Sequence, residues 1–501
     1  MAHYLGMDYG GTFLKAGLYD AAGRERGITR KSVSVVTRHP GWTEKEMPAL
    51  WQAASEVIGD LLAKSGVPAS DVAAVGISSH GKGLYLLDRQ DRPLGLGILS
   101  SDQRAVERVR AWEADGVPAA LYPSTLGGLW TGHPVSLLRW LKDHEPETYR
   151  AIGTVLMGHD FLRFCMTGHK GCEVTNICQS NLFNMREERY DPRLAALLGI
   201  EEVMGALPPV VGSTEVAGRV TEKAARETGL KAGTPVVGGL FDVVSSCLCA
   251  GIEDERRLNA VMGTWSITTG VTKRLETELG YRFLYGRHPE PGYYFVHEGS
   301  PTSAGNLEWF AEQLGQLGYP AMNAAVGALP KAGTDLLFVP FLYGTNAGLG
   351  MTAGLYGLSA LHTRDHLLQA VYEGVVYCHL VHLDRMLRLF PAVEALRVTG
   401  GPARSEVWMQ MLADASGLLV EVPQVEETGC LGAALAAAVG AGTFESTWQA
   451  MRAFRLPLRT YAPEPSARAA YGRKSRRYRL LVEALEGFED RARTASAPGA
   501  S

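Results

Sequence analysis

The stretch Tyr4-Leu5-Gly6-Met7-Asp8-Tyr9-Gly10-Gly11-Thr12-Phe13-Leu14-Lys15 decides the architecture. Residues 4–7 form an apolar run, residues 8–12 a glycine-rich turn, and residues 14–19 alternate again, which reads as strand, turn, strand. Residues 32–36 are expected to add a third strand. Within residues 44–64, Met47, Leu50, Trp51, Ala54, Val57, Ile58, Leu61 and Leu62 recur at spacings of three and four, so a helix with one apolar face is expected. Residues 72–77 follow as a continuous apolar strand of the kind a parallel sheet buries. Strands and helices in this order define an α/β layer.

The opening recurs halfway along. Residues 258–262 read as a strand, Gly263-Thr264 as a turn and residues 266–271 as a second strand. A strand at 294–296 and a helix over 306–314 come next. A strand at 396–399 then runs into Gly400-Gly401 and a helix around 407–415. The tail after Pro463 reads as a charged helix whose small-residue end, 494–501, is expected to fray. The expectation is two α/β halves of similar build, residues 1–246 and 247–501, with a ligand in the cleft between them.

Composition sets the limits. The 501 residues are 46% hydrophobic, enough for a large core and far from a disordered composition. The 49 Lys+Arg against 53 Asp+Glu give a net charge of −4, which argues against a nucleic-acid surface. No long uncharged apolar stretch predicts a membrane span, and the N-terminus lacks a signal-peptide core. Seven cysteines without C-x-x-C spacing read as free thiols in a reducing cytoplasm.

Several patterns fail on inspection. Gly76-Ile77-Ser78-Ser79-His80-Gly81-Lys82-Gly83 nearly spells a Walker A loop, but Gly83 stands where a hydroxyl must ligate Mg²⁺ and a strand follows instead of a helix. Gly95-Leu96-Gly97 lacks the third glycine of a dinucleotide site. No G-x-S-x-G elbow occurs. His379-x-x-His382 falls in an apolar helical pattern and reads as packing rather than as a zinc site.

The pair of turns carries chemistry. Gly10-Gly11-Thr12 offers bare backbone donors and one hydroxyl to a phosphate, because glycine permits an approach that a Cβ would block. Asp8 beside them can hold Mg²⁺, and Lys15 can reach a terminal phosphate as a point charge. A second turn at Gly263-Thr264 completes a clamp for a triphosphate tail. Gly238-Gly239-Leu240-Phe241-Asp242 delivers an acid between a strand and an apolar helix; spacing alone leaves Asp242 as either a helix cap or a general base, and favours the cap. Val398-Thr399-Gly400-Gly401-Pro402-Ala403-Arg404-Ser405 offers a double glycine that can lie flat against a planar base, with Ser405 either capping the next helix or touching nucleotide. Glu426-Glu427-Thr428-Gly429-Cys430-Leu431-Gly432-Ala433-Ala434 starts a helix whose small residues permit close packing.

These segments, in this order and over nearly the whole chain, resemble the FGGY carbohydrate kinases. Residues 127–146 (with Leu129-Trp130-Thr131-Gly132-His133-Pro134), 238–246 and 422–432 look most like the L-xylulose / 3-keto-L-gulonate kinases of that family. D-xylulokinases and other pentulose or polyol kinases resemble the chain less in these segments. The resemblance implies two actin-like, ribonuclease-H-type lobes that close on sugar and MgATP. It implies Asp8 for Mg²⁺, Gly11, Thr12 and Lys15 for the first phosphate loop, and Gly263 and Thr264 for the second. Gly400, Gly401 and Ser405 match nucleotide-side positions, and Asp242 matches the catalytic base, against the preference from spacing. His80, Lys82, Asp102, Arg104 and His133 match the sugar side. Lys82 reads either as a solvated lysine on a glycine-rich turn, which the residue type favours, or as the cation that pairs with the carboxylate of a keto-sugar acid. Two departures stand out: Gly11 replaces a common Thr, and Trp265 replaces a common Ser. The expected partners are the sugar and ATP, with a homodimer as an allowed assembly, no nucleic acid and no membrane. A sugar or nucleotide sensor on the same frame would have lost Asp8 or Asp242, and both are present.

Overall fold

The computed structural model describes residues 2–263, 265–345 and 351–495. Thr264 and the last part of the tail, 496–501, lie outside the described residues. The chain forms two compact units that interleave along the sequence. One holds Met1–Glu253, Val271–Val296 and Val425–Arg455; the other holds Asp254–Gly270, His297–Gln424 and Leu456–Ser501.

The first unit is built on a mixed seven-stranded sheet. The opening hairpin supplies β1 (His3–Tyr9) and β2 (Phe13–Asp20), with Asp8 directly opposite Lys15. The strand Val72–Ser79 runs parallel to β1, with Ser78 beside Asp8. Leu240–Phe241 is parallel to that strand in turn, with Leu240 beside Ser78. The third strand of the meander, β3, is Glu25–Ser32 rather than residues 32–36. Those polar residues form the exposed edge of the sheet, where charged side chains discourage pairing with another chain; the apolar Val36 makes only an isolated bridge to Glu44. The helix α1 (Met47–Ser65) buries Met47, Leu50, Ala54, Val57, Ile58 and Leu61 in one core with Leu5, Met7, Leu14 and Leu18.

The helix Thr428–Gly440 has small residues on most of its surface and lies against β1 and Val72–Ser79. A Cβ on Gly6 would fall on the Cys430 carbonyl, and one on Gly76 on the Ala433 carbonyl. Glycine at both strand positions is what lets helix and sheet backbones touch. The helix Asp242–Cys249 packs on the same helix, and Ser245 Oγ donates to the Gly429 carbonyl at 2.9 Å.

The second unit repeats the plan. Arg257–Met262 pairs antiparallel with the strand that begins at Ser266 and parallel with Ala395–Thr399, which runs parallel to Leu419–Pro423. Hairpin followed by parallel strands is the same order as in the first unit, as the repeated motif predicts. Among the described residues no helix is long and apolar enough to cross a membrane.

Candidate active site

Asp8 stands one residue before the end of β1, and Asp242 begins its helix immediately after Phe241, two strands away in the same sheet. The row Asp8, Ser78, Leu240 across three strands brings both acids to the C-terminal edge of the parallel strands, where α/β sheets place their ligands. The helix cap at this point is Phe241, with no side-chain cap bond, so the preference from spacing for Asp242 as the cap is overturned.

The charge of Asp8 acts on Asp242. Burial, and then the charge of Asp8, push Asp242 up to about 7, against the opposing Val243 N–H and Lys82 ammonium. Burial pushes Asp8 up to about 6; Glu427 adds to the rise, while Lys15 and the Ser78 hydroxyl oppose it. Neither acid forms an ion pair among the described residues. Lys15 Nζ lies instead 2.6 Å from Glu427 Oε2.

The sugar-side candidates Lys82, His80 and His133 belong to this unit. Lys82 takes left-handed backbone, φ +62, rare for a residue with a side chain. Its N–H donates to Asn176 Oδ1 at 2.8 Å, and its ammonium stands 4.8 Å from the centre of the Phe241 ring. Burial lowers Lys82 to about 8, although Asp242 opposes the fall. His80 Nε2 meets the Tyr85 hydroxyl at 3.1 Å, and Tyr85 meets the Tyr9 hydroxyl at 2.7 Å. Burial brings His80 down to about 4, so its ring is neutral at pH 7. His133 is also held well below its usual value, by burial first and Lys82 second. Asn181 Nδ2 donates to His133 Nδ1 at 2.9 Å, which leaves the proton on Nε2.

Asp102 and Arg104 are engaged with each other. Arg104 donates to Asp102 and Glu44 and lies 3.9 Å from the centre of the Trp42 ring. Gly11 and Thr12 occupy the exposed hairpin turn, and a Cβ on Gly11 would meet nothing within 4 Å.

The nucleotide-side candidates belong to the second unit. Gly400 has φ +102, and a Cβ there would strike the Met262 carbonyl, so the double glycine lies directly against the turn that contains Gly263. The Gly263 carbonyl accepts from Ala304 N–H at 3.1 Å. Ser405 accepts from Trp408 N–H at 3.2 Å as a helix cap and donates to Asn323 Oδ1 at 2.7 Å. His379 and His382 hydrogen-bond to buried serines, His379 to Ser266 and Ser303 and His382 to Ser300.

Three supporting residues are not among the site candidates read from the motifs. Asn176 braces the turn at Lys82, and Thr175 Oγ1 accepts from Phe241 N–H at 3.0 Å, next to Asp242. Glu427 holds Lys15. The polar run Glu173-Val174-Thr175-Asn176 amid apolar neighbours is the local signal for the first two; the partner of Glu427 lies 412 residues away and has none.

A glycine-rich hairpin beside one half-buried acid, and a second acid two strands along in a fold whose sheet plan repeats, suit the transfer of a phosphoryl group. Residues 3–249 match the FGGY family of carbohydrate kinases, N-terminal domain, and residues 258–441 match its C-terminal domain. The chain belongs to the FGGY family of carbohydrate kinases. It is 58% identical over 489 residues to the L-xylulose/3-keto-L-gulonate kinase of Escherichia coli (strain K12), covering 98% of each chain. A probable L-xylulose kinase of Pasteurella multocida is 52% identical, over 97% of this chain and 100% of that one. Among solved structures, a xylulose kinase from Rhodospirillum rubrum superposes with a TM-score of 0.84 at 26% identity, over 97% of this chain and 99% of that one.

Proposed function

We propose that this carbohydrate kinase transfers the γ-phosphoryl group of ATP to a hydroxyl of L-xylulose or 3-keto-L-gulonate in the cytoplasm. The reaction rests on one observation: two half-buried acids, Asp8 and Asp242, stand at the same edge of one sheet, two strands apart, and the charge of Asp8 acts on Asp242. The substrate class rests on the 58% identity to a kinase named for these two sugars.

Asp242 is the general base. Held at about 7, it is part-ionised at neutral pH and can accept the hydroxyl proton. The sugar oxygen then bonds to the γ-phosphorus, the bond to the β–γ bridging oxygen breaks, and ADP leaves. His80 and His133, neutral at pH 7, serve as uncharged hydrogen-bonding groups for sugar hydroxyls; Asp102 and Arg104 are assigned to the same side. Lys82 supplies the cation for a sugar carboxylate. Gly11, Thr12 and Lys15 serve the first phosphate loop, Gly263 and Thr264 the second, and Gly400, Gly401 and Ser405 the nucleotide. On this reading residues 1–246 carry the sugar and the first loop, and residues 247–501 the nucleotide.

Asp8 suits Mg²⁺, because its half-buried carboxylate makes no ion pair among the described residues and a hard cation would satisfy it. Mg²⁺ characteristically takes one or two carboxylates plus substrate phosphates, and no group of three or more ligating side chains is found among the described residues. When bound with the nucleotide, Mg²⁺ supplies positive charge against the phosphate oxygens.

The test is ADP release with L-xylulose, 3-keto-L-gulonate, D-xylulose, L-ribulose, glycerol or no sugar. The reading predicts sugar-dependent release, highest in kcat/KM for the first two. Equal release without sugar would point to an ATPase, and a preference for D-xylulose or glycerol would refute the substrate assignment.

A further inference from the structure

We infer that Glu427 is a positioning residue that keeps the Lys15 ammonium out of direct contact with Asp8, so that the Asp8 carboxylate stays open to a divalent cation. The inference rests on the reading of Asp8 as the cation-side acid and goes beyond it by assigning a role to a residue on a distant helix.

The register makes the problem visible. Asp8 and Lys15 face each other across β1 and β2, and directly opposed residues on a sheet bring their Cβ atoms to about 4.5–5.5 Å on the same face. Opposite charges so placed attract, and a Lys15–Asp8 pair would cancel the charge that a cation requires. Lys15 Nζ is instead 2.6 Å from Glu427 Oε2. Glu427 occupies the N-cap position of the helix Thr428–Gly440 yet makes no cap bond, so its carboxylate is given to Lys15 rather than to its own helix.

The helix is placed for this task. A Cβ on Gly429 would come within 2.6 Å of both Asp8 carboxylate oxygens, so the helix backbone passes directly beside Asp8 and Glu427 reaches past it to Lys15. Ser245 Oγ fixes the approach through the Gly429 carbonyl at 2.9 Å. Lys15 and Glu427 keep side-chain exposures of 26% and 15%, so the pair is reachable by an incoming phosphate that competes for the lysine.

The experiment uses the full chain and measures, by titration calorimetry, the affinity for a non-hydrolysable ATP analogue with Mg²⁺ and with chelator. The ratio of the two affinities reports the coupling between cation and nucleotide without any turnover. Glu427→Gln is expected to lower that ratio about tenfold or more, the scale of losing a charged contact, as Lys15 swings to Asp8. Adding Lys15→Met to Glu427→Gln is expected to restore the ratio, although overall affinity falls with the lost lysine. A role confined to anchoring the helix would leave the double variant no better than the single. That result, or an unchanged ratio in Glu427→Gln, overturns the inference. If Glu427→Gln does not fold, Glu427→Asp, shorter by one methylene, is read in the same way. Asp8→Asn separates the two claims: a ratio that survives it refutes the reading of Asp8 itself, whereas a ratio lost in Asp8→Asn but intact in Glu427→Gln refutes only the role of Glu427.

Discussion

Replacing Asp242 with Asn should abolish most of the catalysis and stabilise the protein, and the second effect should depend on pH. A carboxyl moved from 3.8 in the unfolded chain to about 7 in the folded one corresponds to roughly 4 kcal/mol at full effect. Part of that rise comes from Asp8, and Asp242 is not fully enclosed, so about 2 kcal/mol is the working figure. The sign follows from linkage. Well below the unfolded value of 3.8 the group is protonated in both states and burial carries no charge penalty. As pH rises towards 7 the unfolded chain loses its proton first, and the folded protein is progressively destabilised. The neutral amide of Asp242→Asn carries no such penalty. In urea denaturation the variant should therefore match the wild type well below pH 3.8 and exceed it by about 2 kcal/mol at pH 8. Sugar-dependent ADP release should fall by at least about 10²-fold, the low end for a positioned general base. A variant with equal stability at both pH values, or one that keeps its turnover, would refute the reasoning.

Further expectations concern the same cluster. The kcat/KM for 3-keto-L-gulonate should rise through about pH 7 as Asp242 ionises and fall through about pH 8 as Lys82 loses its proton; L-xylulose should lack the upper limb. Lys82→Met should weaken 3-keto-L-gulonate about tenfold more than L-xylulose in steady-state assays, and equal losses would refute the carboxylate pairing. Gly6→Ala should leave little folded protein, because the new methyl falls on the Cys430 carbonyl, where backbone cannot yield; circular dichroism and yield measure this. Ser405→Ala should cost about 1 kcal/mol in thermal unfolding through the lost helix cap.

Local pattern carried the strands, the helices and the glycine turns. Alternation placed β2, threefold and fourfold spacing placed α1, and the repeated hairpin foretold the second unit. The exposed edge strand β3 was hidden because its polar residues read as loop, while the apolar Val33, Val35 and Val36 beyond it read as strand. The motifs also located both acids, but spacing could not tell that Phe241 rather than Asp242 would cap the helix. What stayed illegible is long-range pairing. The contact of Lys15 with Glu427, the approach of Gly429 to Asp8 and the burial of Arg104 between Glu44, Asp102 and Trp42 depend on how distant segments stack, and no local periodicity encodes that. The lack of an ion pair at Asp8 among the described residues is a property of this stacking.

The most direct measurement is a crystal structure of the chain with L-xylulose, Mn²⁺ and a non-hydrolysable ATP analogue, with the metal located by its anomalous signal. The account predicts Mn²⁺ at Asp8, directly or through one water, and one sugar hydroxyl within about 2.6–3.2 Å of the Asp242 carboxylate. A metal bound elsewhere, or a sugar whose hydroxyls all turn away from Asp242, would contradict it.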